Sequence, residues 1–214
     1  MTAQDVGGAR SSNLRRLLFI LLGALTLWAL YVYDWPLIND AKNMARLRGF
    51  GWLLLPHGLA GLIAFLIGPL QFSDRRRARN LPLHRRLGQI YVAAVTMAGL
   101  LSLVIALRFE EFGITELVAQ GLVWMLCTYC AWFAARNRNI VQHKIWMARS
   151  YGLTFVFVTN RIVLGQFFAG ASNWAINDAS WAVLVAALVI PDMLMSGGAL
   201  RPWRTDGRTI PARP

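Results

Sequence analysis

Residues 142–165 read QHKIWMARSYGLTFVFVTNRIVLG, and this stretch indicates the class of fold. Most of it is apolar enough to lie in a lipid bilayer, yet it begins close to a histidine and contains Arg149 and Arg161. A charged side chain near the bilayer centre costs at least ~2.5–3.5 kcal/mol, so it usually faces a protein interior or a partner. We therefore expect one helix of a polytopic membrane protein, with its arginines turned towards other groups.

The composition of the whole chain agrees with a membrane protein. Its 214 residues are 57% apolar and 15% charged, whereas a soluble domain carries about 25% charge. Apolar runs recur along the chain, and a helix needs about 20 residues to cross the hydrocarbon core. The sequence predicts an all-α bundle of six transmembrane helices in residues 17–196, with tails at 1–16 and 197–214. The six predicted spans are Leu17–Tyr33, Phe50–Phe72, Leu87–Leu107, Ile114–Ala135, Ile145–Phe168 and Ile176–Ser196.

Positive charge is distributed unequally between the two sides of this bundle. With both termini in the cytoplasm, sixteen Lys and Arg residues fall on the cytoplasmic side and four on the other, as the positive-inside rule requires. We expect a multi-pass protein of the cell (inner) membrane whose DRRRARN run, residues 74–80, contacts anionic lipid headgroups. The net charge of +12 lies between the spans and at the ends, which argues against a nucleic-acid partner. A redox partner or a second copy of the chain stays open.

Polar side chains fall at two depths, because a helix rises about 1.5 Å per residue. The cytoplasmic level holds His84, His143, Arg149, Asp192 and Gln71, and the outer level holds His57 and Arg161. An Arg149–Asp192 pair is the simplest arrangement, and Arg161 is expected to face a neighbouring helix. We expect the second, third, fifth and sixth spans to form the polar-lined core, with the first at its edge.

Two histidines begin the same short pattern, H-x-x-x-G. Residues i and i+4 share a helix face, so His57 lies beside Gly61 and His84 beside Gly88. A histidine with a glycine one turn further along suits haem, which needs a nitrogen for iron and room beneath the ring. The same spacing is also typical of closely packed membrane helices.

Among the three histidines, only His84 and His143 have matching depths on different helices. They would be the axial ligands of a haem b, and Arg149, Arg85 or Arg86 would neutralise its propionates. We expect the two imidazoles to approach each other at the cytoplasmic side, with nitrogens roughly 4 Å apart about a metal ion.

The stretches HGLAGLIAFLIGPLQF, RRRARNLPLHRRLGQIYV and QHKIWMARSYGLTF together resemble a widespread bacterial family of predicted membrane proteins of unknown function. The matching features are the histidine and glycine of one helix, GPLQF at its end, HRxxGxIY and HxxWMxRSY. The resemblance covers about residues 50–165 and implies no established activity.

A more distant likeness is to the ascorbate-type dihaem b cytochromes, whose core helices also carry a histidine with a glycine four residues on. The corresponding residues are His57, Gly61, Gln71, His84 and Gly88. Two bis-histidine haems need four histidines and this chain has three. The likeness therefore implies at most one such haem, in an electron-transfer subunit.

Two other functions stay open at this point. A small-solute transporter or channel would use Arg149, Asp192, Arg161 and Gln71 as its polar interior. A divalent-metal site at the cytoplasmic face would use His84, His143 and Asp192.

The remaining motifs favour structural roles. The CTYC motif predicts two packing residues, Cys127 and Cys130. RFEEFGITE, residues 108–116, predicts a solvated outer turn that includes Glu116.

Overall fold

The computed structural model describes residues 17, 20–21, 23–29, 31–32, 41–109 and 114–196. Residues 41–109 and 114–196 form seven helices. These are α1 (Ala41–Gln71), α2 (Asp74–Arg79), α3 (Leu81–Phe109), α4 (Ile114–Arg136), α5 (Ile140–Thr154), α6 (Val156–Phe167) and α7 (Asn173–Ser196). No strand occurs in the described ranges, so the predicted all-α class is confirmed. Both predicted tails lie outside the described residues.

Four of the helices are long and apolar enough to cross a membrane. The qualifying segments are Gly51–Gln71, Leu81–Arg108, Ile114–Arg136 and Asn173–Met195. They correspond to the second, third, fourth and sixth predicted spans. The first predicted span is described only in part, and the fifth is divided between α5 and α6. Four candidate spans, rather than six, are therefore established by the described residues.

The division between α5 and α6 is a local interruption at Phe155. The backbone there stays right-handed helical, with φ −80° and ψ −15°. Its N–H reaches the carbonyl oxygens three and four residues earlier, at 3.0 and 3.3 Å. The hydroxyls of Thr154 and Thr159 each donate to the carbonyl four residues before them, at 3.0 and 3.1 Å. Such side-chain bonds compete with the backbone and often bend helices.

Consecutive helices are neighbours in the bundle. Helix α3 packs between α1 and α4, and α7 packs on α5 and α6. Helix α5 lies centrally, because it contacts α1, α4 and α7. Large apolar side chains such as Leu59, Leu66 and Leu126 remain exposed on the outside. A lipid-facing surface is expected to look like this, because hydrocarbon is as apolar as leucine.

Glycines allow two of the helix contacts to be close. A Cβ at Gly68 of α1 would overlap the ring of Tyr151 on α5. The Tyr151 hydroxyl donates to the carbonyl oxygen of Phe65 at 3.3 Å, which joins α5 to α1. A Cβ at Gly152, on α5, would overlap the carbonyl oxygen of Ala187 on α7. Gly68 and Gly152 therefore allow α5 to lie close to α1 and to α7, respectively.

Candidate functional site

Five buried polar side chains meet between α3, α4 and α5, and we call them the hydroxyl cluster. They are Tyr91, Trp124, Thr128, Ser150 and Thr154, each at most 8% exposed. The Tyr91 hydroxyl lies 2.9 Å from Ser150 Oγ and 3.1 Å from Thr154 Oγ1. Ser150 Oγ also lies 2.7 Å from Thr128 Oγ1, and Trp124 Nε1 donates to Thr154 Oγ1 at 3.1 Å. One network therefore joins three helices in the centre of the bundle.

The hydrogens of the cluster are shared between more contacts than they can serve at once. Two further bonds run to backbone carbonyls, from Thr128 to Trp124 at 2.8 Å and from Thr154 to Ser150 at 3.0 Å. Each hydroxyl carries a single hydrogen. The four hydroxyls thus supply four hydrogens for five hydroxyl contacts, so the pattern of donors can switch without any side chain moving away.

The expected location of the polar core was partly wrong. It was assigned to the second, third, fifth and sixth spans, but α4, the fourth span, supplies Trp124 and Thr128. Serine, threonine and tyrosine occur in most spans. The direction in which each of these side chains points depends on helix packing, which its depth in the span does not reveal. The usable signal was the family resemblance, since Tyr91 lies in HRxxGxIY and Ser150 in HxxWMxRSY.

Arg149 forms the predicted pair with Asp192 and joins α5 to α7. Arg149 Nε donates to Asp192 Oδ1 at 2.9 Å, and Nη2 donates to Oδ2 at 2.7 Å. The Trp146 ring centroid lies 4.4 Å from the guanidinium carbon, within the range of a cation–π contact. The Arg149–Asp192 prediction is confirmed. Because the carboxylate and the ring occupy this guanidinium, Arg149 is not placed to neutralise a propionate.

Two of the three histidines are fixed to a neighbouring helix through the same ring atom. His57 Nδ1 lies 2.9 Å from the carbonyl oxygen of Ala98, on α3, and His143 Nδ1 lies 2.9 Å from that of Ala131, on α4. A carbonyl oxygen only accepts, so Nδ1 carries the hydrogen and Nε2 of the neutral ring keeps its lone pair. Metal-binding histidines are commonly oriented in this way.

A tight turn brings His143 to its position. Arg138 has a left-handed backbone with φ 59°, which reverses the chain between α4 and α5. Asn139 then caps α5, because its side-chain oxygen accepts from the N–H of Gln142 at 3.1 Å. His143 therefore lies on the first turn of α5, directly against the last turns of α4.

His84 differs from the other two histidines. Its ring makes no hydrogen bond within the described part of the chain. It is half-buried and forms one wall of a cavity of ≈ 260 Å³. The other lining residues are Leu70, Arg76, Arg79, Asn80, Leu83 and Leu87.

The space beside Gly88, which the sequence assigned to a flat ring, contains Gln71. The Gln71 Oε1 atom would lie 3.5 Å from a Cβ at Gly88. The amide Nε2 of Gln71 is buried without a hydrogen-bond partner. A buried donor left unsatisfied costs about 1–3 kcal/mol. By contrast, a Cβ at Gly61 would meet nothing within 4 Å.

The other candidate residues are separate from the histidines. The described residues contain no group of three or more His, Cys, Asp or Glu that could hold a metal ion, and Asp192 pairs with Arg149 instead of joining His84 and His143. Cys127 is buried in the core and Cys130 is half-buried, both as free thiols. Arg161 is exposed on α6, so its expected packing against a neighbouring helix is at most partial.

Glu116 was expected in a solvated turn, and that prediction is wrong. Its side chain is only 3% exposed, and Oε1 has no hydrogen-bond partner. The residue lies in the first turn of α4, where the positive end of the helix dipole favours a carboxylate. Helix α4 begins at Ile114, as predicted for the fourth span, and only the exposure expected for Glu116 was wrong.

A comparison with protein families gives one match. The family described as "Predicted membrane protein (DUF2306)" matches residues 54–196, about two thirds of the chain. No curated protein and no solved structure matches the chain. The matched region runs from α1 to the end of α7 and includes the hydroxyl cluster, the Arg149–Asp192 pair and all three histidines.

Proposed function

We propose that this chain, which belongs to the DUF2306 family of predicted membrane proteins, holds one haem b between α3 and α5. His84 and His143 would be the axial ligands, in a small electron-transfer protein of the cell membrane. The observation that carries the proposal is the fixed orientation of His143, whose Nδ1 is held by the carbonyl of Ala131 at 2.9 Å. This leaves the lone pair of Nε2 for a metal.

The residues present fit a haem in their donor chemistry. The two imidazoles lie in the first turns of two different helices, α3 and α5, and bis-imidazole ligation is a common way to hold haem iron. Arg85 and Arg86, which follow His84 directly in the sequence, would neutralise propionates. Gln71, which occupies the space beside Gly88, would have to move to admit the ring.

The bound haem would supply one-electron chemistry, in which the iron alternates between two oxidation states. The chain's own residues do the positioning. The hydroxyl cluster fixes α3 and α5 against α4, and so sets the separation of His84 and His143. The Arg149–Asp192 pair holds α5 to α7 without taking part in ligation.

Absorbance of protein purified from haem-replete cells tests the proposal. We expect a Soret band that is lost in His84→Ala and in His143→Ala. His57→Ala is the matched control, because His57 is also held through Nδ1 to a carbonyl oxygen, and it should keep the band. Colourless wild-type protein, or equal loss in all three variants, would show that these two histidines do not hold haem.

The contacts described above give no specific support to a transporter or channel, or to a divalent-metal site. In a transporter the charges of Arg149 and Asp192 would face a solute, but here they neutralise each other at 2.7 Å.

A further inference from the structure

We propose that the cavity at the corner of α1, α2 and α3 binds the headgroup phosphate of an anionic phospholipid. The cavity has a volume of ≈ 260 Å³, slightly below the ~300 Å³ at which drug-sized sites begin. That is room for a headgroup and the start of an acyl chain. This inference does not rest on haem binding.

Two arginines, Arg76 and Arg79, are among the residues that line the cavity. Arg76 and Arg79 are three residues apart on α2, so they project from neighbouring positions on the same face of the helix. Ser73 caps this helix, and its Oγ accepts from the N–H of Arg76 at 3.3 Å. Among the described side chains, no carboxylate lines the cavity. Two guanidinium groups on a short capped helix match phosphate oxygens in charge and in hydrogen-bond geometry.

Two further groups can donate to the same anion. The side-chain oxygen of Asn80 accepts from the N–H of Leu83 at 2.9 Å, which leaves its amide NH₂ as a donor. The His84 ring, which has no hydrogen bond within the described residues, faces the cavity. His57 and His143 each have an acceptor for one ring nitrogen, and a phosphate oxygen would supply the equivalent acceptor for His84.

The apolar lining of the cavity decides between a lipid and a free ion. Leu70, Leu83 and Leu87 contribute to it, and Leu83 is 49% exposed. Inorganic phosphate would leave these side chains uncovered, whereas the acyl chain of a lipid would cover them. The site also lies between the end of α1 and the start of α3, at the level where a membrane-spanning helix meets headgroups.

Native mass spectrometry of the detergent-solubilised full chain tests the proposal. The protein is titrated with dioleoyl phosphatidylglycerol, with dioleoyl phosphatidylcholine, and with inorganic phosphate as a competitor. We expect at least fivefold greater retention of phosphatidylglycerol than of phosphatidylcholine. The preference should disappear in Arg76→Gln/Arg79→Gln and should survive millimolar inorganic phosphate.

The matched control is Arg136→Gln/Arg138→Gln, which removes the same charge from another connection of the bundle. It should keep the preference. Equal loss in both double variants would show a general surface-charge effect and overturn the site. If inorganic phosphate displaced the lipid, the site would bind a free anion and not a lipid headgroup, and the proposal would be overturned. If Arg76→Gln/Arg79→Gln does not fold, the wild-type comparison decides, because equal retention of the two lipids would refute the proposal.

Discussion

Arg149 and Asp192 meet across two helices through a pair of hydrogen bonds of 2.9 and 2.7 Å. The side chains are 27% and 39% exposed, so the pair lies at the edge of the bundle. A bidentate arginine–carboxylate contact fixes geometry as well as charge. This pair and the Gly152 contact together define how α5 and α7 are joined.

Asp192→Ala should destabilise the fold, because it leaves the Arg149 guanidinium without its counter-ion in an apolar setting. Partial exposure moderates the 3–5 kcal/mol typical of broken buried pairs, and we expect a loss of about 2 kcal/mol. Thermal unfolding in detergent measures it. Arg149→Ala/Asp192→Ala should recover part of the loss, and Arg149→Lys should not match wild type, since lysine cannot form the bidentate contact. Unchanged stability in both single alanine variants would show that the pair contributes little.

Gly68→Ala should lower the yield of folded protein, because the added methyl group overlaps the ring of Tyr151. Overpacking of this kind costs about 1–3 kcal/mol. Gly61→Ala is the control on the same helix, since its methyl group meets nothing within 4 Å, and it should be neutral or slightly stabilising. Fluorescence-detected size exclusion gives both yields. Adding Tyr151→Leu to Gly68→Ala should restore yield; equal effects of the two glycine substitutions would contradict the packing described.

Tyr91→Phe should reduce the free energy of unfolding by about 1–3 kcal/mol, because it removes a fully buried hydroxyl that contacts Ser150 and Thr154. Tyr129→Phe serves for comparison. Its hydroxyl has a single partner, Thr96 Oγ1 at 2.8 Å, in a partly buried place, so the smaller loss is expected there. Denaturant titration of the purified proteins measures both. A larger loss in Tyr129→Phe would argue against the hydroxyl cluster as the centre of stability.

The excess of basic residues predicts that α2 and the α4–α5 turn face the cytoplasm. A single cysteine at Ala78, in a Cys127→Ser/Cys130→Ser background, should resist a membrane-impermeant maleimide in intact cells. One at Ser172, in the α6–α7 connection, should react. Both positions are exposed, so permeabilised cells should label both. The reverse pattern in intact cells would invert the predicted orientation.

The Arg149–Asp192 pair could be predicted from the sequence because few opposite charges share one depth in the spans. The anchors of His57 and His143 could not, because their partners are backbone carbonyls and every residue carries one. The hydroxyl cluster was missed for a related reason: depth follows from position in a span, but the face that a side chain presents depends on packing. The predicted fifth span is divided at Phe155, which a continuous apolar run does not reveal.

The order of the Arg149–Asp192 pair along the chain has a consequence for the synthesis of the protein. Arg149 emerges from the ribosome 43 residues before Asp192. The guanidinium is therefore made well before the carboxylate that neutralises it, and we expect the hydroxyl cluster to hold α5 against α3 and α4 until α7 is added.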